Sequence, residues 1–274
     1  MFDDQKSKNK LKKAIRQAIL WYYKGYPLKN ESHTLKATTY LLGMLLGLIP
    51  FVYDRAIYGL GKCFPPYKNN GSLLEVGCGR GWYLKIMREL GWKVLGLELN
   101  QESARKGSET YGVEIKEGYN LKEIPSSSFD VVTMIHVFEH LHNPEEVVSD
   151  IHRILKPGGI LLLAMPNGTS LSEKLFGANY RALAPPWHLY IYNPKSITLF
   201  LEKFGFNVKA TSRARNAGYV YNANKSILKR KFRREEEAFC LWFQILESFL
   251  NFFNPNIGEE LEVVAIKKYE ESEP

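Results

Sequence analysis

Between residue 72 and about residue 213, short apolar runs alternate with stretches whose apolar positions repeat every three to four residues. The apolar runs at 73–76, 93–97, 113–115, 129–135, 160–165 and 206–211 read as strands, and 82–90, 101–110, 144–155 and 195–204 read as helices. Pro157-Gly158-Gly159 predicts a turn, and Gly205 predicts the stop of the helix before it. Strand–helix alternation of this kind predicts an α/β fold: a mostly parallel sheet with helices on both faces. The flanks differ. Residues 1–70 read as a helical N-terminal extension, basic and amphipathic at first and then strongly apolar over 40–53, with Pro50 breaking the run. That apolar run falls short of the ~20 residues a bilayer span needs, so it predicts a buried helix, with a helix lying in a membrane interface as the alternative. Residues 71–212 form the core. Residues 213–258 are a basic and then apolar helical insertion, and 259–274 hold a last strand at 261–266 and a tail.

The 274 residues are 45% hydrophobic and 24% charged, a globular composition that argues against a disordered chain. Three cysteines, Cys63, Cys78 and Cys240, are too scattered for a disulfide framework or a zinc finger. The N-terminal residues lack the apolar run of a signal peptide. A reducing, cytoplasmic setting is expected, with peripheral contact at the inner membrane face as a further expectation. The net charge of +8 comes without a helix-turn-helix, zinc or RNA-binding signature, so no nucleic-acid partner is expected.

Leu73-Leu74-Glu75-Val76-Gly77-Cys78-Gly79-Arg80-Gly81 sits where a strand turns into a helix. Its glycines allow positive φ and close approach of a ligand, and the helix after them presents unbonded N–H groups. The spacing is GxGxG, unlike the GxGxxG of dinucleotide folds. Glu75 precedes the turn, and a second acid, Glu98, ends the next strand. One carboxylate suits a ribose diol and the other suits an ammonium group. S-adenosylmethionine carries both.

Residues 75–81 resemble motif I of class I methyltransferases, and 91–98 resemble their second strand with its ribose acid. Residues 129–141 and 153–159 are similar to their fourth strand with its loop and to the turn before their fifth strand. The resemblance spans about residues 71–212 and implies a Rossmann-like, seven-stranded methyltransferase sheet with helical additions at both ends. It implies S-adenosyl-L-methionine as cofactor, with S-adenosyl-L-homocysteine as product. The implied cofactor set is Glu75, Gly77, Cys78, Gly79, Gly81, Glu98, Leu99, Tyr119, Asn120, Ile135 and His136. Tyr119 and Asn120 stand after the third strand where the family usually has an acid for the adenine amine; stacking and acceptor roles are their expected substitutes. Met165-Pro166-Asn167-Gly168, Phe176-Gly177-Ala178-Asn179-Tyr180 and Pro185-Pro186-Trp187-His188-Leu189 look like a bacterial subgroup of glycan, lipid and secondary-metabolite pathways, with Trp187 in the place of its usual arginine.

His136-Val137-Phe138-Glu139-His140 matches an inverted zinc-protease pattern, but it follows a strand and precedes a turn, and the protease motif needs a helix. The ubiquinone-pathway O-methyltransferases have acids and a histidine in a similar loop, a resemblance that would put a divalent ion on Glu139 and His140; His136 stands where they have an acid, and no metal ligands are assigned. Methyl transfer to a hydroxyl needs alignment, exclusion of water and a base. His188 and His136 are the candidate bases; His140 reads as a structural tie, and His142 and His152 as surface positions. The expected function is methylation of an oxygen on a small-molecule, glycan or lipid-linked acceptor. The rival readings are a non-catalytic cofactor-binding protein and an NAD(P)-dependent oxidoreductase. In the insertion, basic residues from Arg213 to Arg234 precede an apolar run ending at Phe253. A lid packed on the N-terminal segment or a homodimer contact is expected there, with an anionic membrane surface as the alternative.

Overall fold

The computed structural model of the chain describes residues 2–27, 33–57, 63–180, 186–214 and 234–269. Its centre is one seven-stranded sheet: β1 (Ser72–Val76), β2 (Lys93–Glu98), β3 (Ile115–Glu117), β4 (Phe129–Ile135), β5 (Leu155–Pro166), β6 (Phe206–Arg213) and β7 (Glu260–Lys267). The spatial order is β3-β2-β1-β4-β5-β7-β6. The first five strands run parallel, and β7 inserts antiparallel between β5 and β6.

Because strand side chains alternate, adjacent residues serve opposite faces. Leu74, Val132 and Leu161 join the core under α6 (Pro144–Ile154) and α8 (Pro194–Glu202). Leu73, Val131 and Leu162 join the core under α1 (Phe2–Lys24) and α4 (Trp82–Glu89), where Ile19, Tyr83 and Met87 are buried. Each such large side chain taken from water contributes about 1.5–3 kcal/mol. The remaining helices are α2 (His33–Gly47), α3 (Pro50–Ile57), α5 (Gln101–Tyr111), α7 (Leu171–Phe176) and α9 (Arg234–Phe253).

β1 and β4 are neighbours, but the chain leaves them toward opposite edges of the sheet. Their carboxyl ends therefore open a crevice, the usual ligand position in such sheets. Their amino ends are clamped by Asp130, which accepts hydrogen bonds from Lys156 Nζ (2.8 Å), Ser72 N (2.8 Å) and Lys68 Nζ. Burial alone would raise this carboxyl's pKa. The Lys156, Lys68 and Ser72 hydrogen bonds override that and hold it well below the usual carboxylate range.

Three sequence expectations need correction. The third strand begins at Ile115, not at 113, because Gly112 ends α5 in the left-handed region and Val113 then packs into the core before pairing starts. Pro157-Gly158-Gly159 does not precede the fifth strand but lies inside it: β5 begins at Leu155, opposite Phe129, and the register shifts before Val131 meets Ile160. Gly158, with φ of +68°, absorbs that irregularity. The apolar run at 40–53 is not a buried helix. α2 approaches α1 through small residues, since a Cβ on Gly43 would lie 2.1 Å from the Ala18 carbonyl oxygen and one on Gly47 would meet the Tyr23 ring. Its bulky residues Leu41, Leu42 and Leu45 consequently face outward. Most of the expected basic run, from Arg215 to Arg233, lies outside the described residues.

Candidate functional site

The glycine turn lies at the carboxyl end of β1. Gly77, Gly79 and Gly81 have φ of +72°, +57° and +71°, a region that costs an L-residue ~1–2 kcal/mol. The amides of Gly77 and Cys78 both donate to the Leu97 carbonyl oxygen, at 2.8 and 3.1 Å, tying the turn to the end of β2. A Cβ on Gly77 would come within 2.4 Å of Val137 Cγ2, and one on Gly81 within 2.7 Å of Ile115 Cδ1. A Cβ on Gly79 would meet nothing within 4 Å. The first and third glycines are thus required by packing, while the second borders open space. α4 starts directly after Gly81 with no side-chain cap, so its first-turn N–H groups face this end of the sheet.

Glu98 joins the two strand ends. One carboxylate oxygen accepts from Gly79 N at 2.7 Å and the other from Asn100 N at 2.9 Å. Each oxygen keeps lone-pair capacity for a further donor, such as a hydroxyl of a diol. Glu75 is wholly buried on β1, level with Gly96 and Thr133. Tyr119 is half-buried beside the turn, its hydroxyl near Gly77. Burial first, and then the Glu98 and Cys78 charges, push its phenol up to about 12, so it remains a neutral donor at ordinary pH.

At the carboxyl end of β4, histidines gather around one carboxylate. Glu139 is 1% exposed, and neither of its oxygens has a hydrogen-bond partner. His136 Nδ1 lies 3.4 Å and His188 Nε2 4.0 Å from the same Glu139 oxygen. His136 Nε2 lies 3.3 Å from Glu260, on β7. His136 adopts φ of +55°, uncommon for a non-glycine residue, and its amide donates to the Ala164 carbonyl oxygen. His140 Nδ1 is 2.7 Å from the Trp187 carbonyl oxygen, and its ring meets the His188 ring edge-on. That bond, and those from the Leu189 and Tyr190 amides to the Glu139 carbonyl oxygen, hold the segment carrying His188 onto the loop after β4.

An acid behind an imidazole fixes its orientation and stabilises its protonated form. His136 has both nitrogens against acids, whereas His188 has one nitrogen toward Glu139. Glu139, His140 and His188 also offer ligand atoms within 4.8 Å of one another. They would have to draw closer to share an ion, because zinc-type bonds are only ~2.0–2.2 Å long.

The sequence-predicted residues divide accordingly. Glu75, Gly77, Cys78, Gly79, Gly81, Glu98 and Tyr119 surround the glycine turn, and Ile135 and His136 end the adjoining strand β4. Leu99 is exposed just beyond β2. Asn120 is exposed, and its amide donates to Glu123 at 2.6 Å. His142 is exposed, but His152 is only partly so and packs edge-on against the Phe206 ring. His33 lies among residues whose side chains are not described. Sequence reasoning gave two acids no part in placing the histidines. Glu139 was visible inside the HxxEH pattern. Glu260 left no local signal, because only the antiparallel register, Pro166 opposite Glu260, brings it to the site.

Residues 52–211 match a family model described as a methyltransferase domain. The chain is 32% identical over 143 residues to a protein of Mycolicibacterium smegmatis named as a probable S-adenosylmethionine-dependent methyltransferase, covering 51% of this chain and 53% of that one. It is 35% identical over 105 residues to the ubiquinone biosynthesis O-methyltransferase of Maricaulis maris, covering 36% and 41%. The chain thus spans about half the length of the curated relatives it matches. A crystal structure of a SAM-dependent methyltransferase from Archaeoglobus fulgidus superposes with a TM-score of 0.55 at 20% identity, over 82% of this chain and 98% of that one. Phosphoethanolamine N-methyltransferase 2 of Haemonchus contortus, solved with S-adenosyl-L-methionine, gives 0.52 at 20% identity, over 79% and 52%. At these identities the two structures establish a shared fold.

Proposed function

This chain belongs to the methyltransferase-domain family, and from that premise we propose that it transfers the methyl group of S-adenosylmethionine to an oxygen atom of a small-molecule, glycan or lipid-linked acceptor. The observation that carries the cofactor assignment is the Glu98 carboxylate bonded to the Gly79 amide across a glycine turn that is open at Gly79 alone. Glu98 offers acceptors to the ribose hydroxyls. Buried Glu75 offers negative charge to the amino-acid ammonium, and the uncapped start of α4 offers donors to its carboxylate. Tyr119 supplies a flat ring beside the turn.

When bound, the cofactor supplies a methyl carbon made electrophilic by the neighbouring sulfonium. The chain has to align an acceptor oxygen with that carbon, keep water out and take one proton. His188, with one ring nitrogen 4.0 Å from Glu139 and only 13% exposed, is the base in this reading. His136, held between Glu139 and Glu260, positions the loop and stands as the alternative base. The likeness to ubiquinone biosynthesis O-methyltransferases supports oxygen as the acceptor atom.

Calorimetric titration with S-adenosylmethionine and S-adenosylhomocysteine, with NAD as control, tests the cofactor site. Micromolar binding of the first two, weakened at least tenfold in Glu98→Ala, is expected. Preference for NAD, or unchanged affinity in the variant, overturns the assignment. Methyl transfer to a hydroxylated acceptor separates an enzyme from a protein that only binds the cofactor.

A further inference from the structure

α9 is amphipathic the wrong way round for a helix of a water-surrounded protein. Along its described side chains, the face packed on the protein is largely polar: Gln244, Glu247, Ser248 and Asn251 are all buried. Their spacing of three, four and seven residues puts them on one side of the helix. Asn251 explains why polarity is needed there. Its oxygen accepts from Ser212 Oγ at 2.8 Å and from Gly258 N at 2.9 Å, and its nitrogen donates to the Ser212 carbonyl oxygen at 2.6 Å, pinning α9 to the end of β6 and the start of β7. The opposite face carries Trp242, Ile245, Phe249, Phe252 and Phe253, all exposed, with Phe253 at 70%. From Leu241 to Phe253 the sole charged residue is buried Glu247.

A second outward apolar face stands nearby. α3 contacts both α9 and α2, and α2 exposes Leu41, Leu42 and Leu45, with exposed Leu48 just beyond its end. α2 contains no acid and a single lysine. Two neighbouring helices with bulky outward faces exceed the scattered apolar residues of an ordinary surface. Among the described residues, no helix is long and apolar enough to cross a membrane.

We propose that α2 and α9 form a docking face for an anionic phospholipid surface, on which the protein rests peripherally. Charge selects this occupant. The chain carries +8 overall, and α1, which packs along α2, has seven Lys and Arg against two Asp. The sequence from Arg215 to Arg233 adds six further cations and no acid before α9 begins. The acids Glu235, Glu236 and Glu237 fall in the first turn of α9, where the helix dipole favours them, ahead of the aromatic face. Anionic headgroups attract such basic segments while aromatic and leucine side chains enter the acyl boundary. A second copy of this chain would instead bring two +8 charges together. α1, α2 and α9 lie outside the matched range 52–211, so the face belongs to this chain's additions and does not follow from its family.

Flotation of the full chain with vesicles of phosphatidylcholine alone, or with about one third phosphatidylglycerol, tests the proposal. Strong binding to the anionic vesicles, weak binding to the neutral ones and release by salt are expected. Two double variants, Phe252→Ser with Phe253→Ser and Leu41→Gln with Leu45→Gln, should each weaken binding about tenfold. Circular dichroism and S-adenosylhomocysteine affinity of the variants should match wild type, which keeps a folding failure from passing as support. No binding to anionic vesicles, or equal binding by wild type and folded variants, overturns the proposal. So does a dimer in sedimentation that the variants split without changing flotation, since the face would then serve a second copy. None of these outcomes depends on methyl transfer, so the proposal and the assigned activity can fail separately.

Discussion

Gly77 and Gly79 stand two residues apart in one turn with similar backbone angles, and alanine at each should fail differently. At Gly79 the added methyl meets nothing within 4 Å, so the stability cost is the left-handed backbone alone, about 1–2 kcal/mol. At Gly77 the same strain is joined by an approach of 2.4 Å to Val137 Cγ2. Val137 is held by the loop after β4, so relief means moving that loop, at about 1–3 kcal/mol more. A chain of this length loses about 2–4 °C in Tm per kcal/mol. Gly79→Ala should therefore melt about 2–8 °C below wild type, and Gly77→Ala about twice as far below. Ligand affinity should reverse the ranking relative to stability. The Gly79 methyl projects into the open crevice, where a bound cofactor must pass, and a methyl's worth of overlap there should weaken S-adenosylhomocysteine about 10–100-fold. The assay pairs thermal melts with calorimetry on the same samples. Wild-type affinity in a folded Gly79→Ala would show that the ligand does not cross Gly79. A wild-type Tm for Gly77→Ala would refute the packing account of the turn.

Other expectations concern the clamp, the bases and α9. Asp130→Asn removes a carboxylate bonded to Lys156 and Lys68 and should cost about 2 kcal/mol near pH 7 in urea unfolding, because both lysines are partly solvated. The Asp130 carboxyl is held below its unfolded value of about 4. Its contribution is therefore full above that value and fades as pH falls toward the folded pKa, and the gap between wild type and variant should narrow on acidification; a constant gap would refute the assignment. His188→Ala should lower kcat about 10²–10³-fold with cofactor affinity unchanged, whereas His136→Asn, which tolerates the positive φ, should cost less. Equal activity of His188→Ala and wild type would remove His188 as base. Asn251→Leu, although more apolar, should destabilise by about 1–2 kcal/mol by removing its three hydrogen bonds to Ser212 and Gly258, which keep only their bonds to each other and to Pro255, whereas Phe252→Ser should change stability by less than about 0.5 kcal/mol; similar melts for the two would contradict the inverted face.

Much of the core was legible because its signals are local. The turn from β1 into α4 needs residues that tolerate positive φ, and only glycine does so cheaply, so Gly77, Gly79 and Gly81 show in any reading of the chain. Glu98 was legible for a related reason: it ends an apolar strand at a fixed distance from that turn, and a parallel partner strand brings it alongside. Strand and helix periods likewise depend on neighbours in sequence. The β5 irregularity was misplaced because Pro-Gly-Gly marks a break in regular backbone without saying whether pairing resumes on both sides of it.

Direction, by contrast, was settled only in three dimensions. Apolar periodicity shows that α2 and α9 each have an apolar face but not which way that face points. In α2 the close approach of Gly43 to Ala18 turns the leucines outward, and in α9 the hydrogen bonds of Asn251 turn the polar face inward. The acid–histidine cluster has the same origin. Glu139 and His136 are close in sequence, but His188 arrives through the Trp187 and Leu189 backbone bonds and Glu260 through the antiparallel β7. Local backbone preference and side-chain period are properties of short stretches of chain and were available from the sequence; which distant groups share a buried volume depends on how those stretches pack, and the tertiary structure alone decided it.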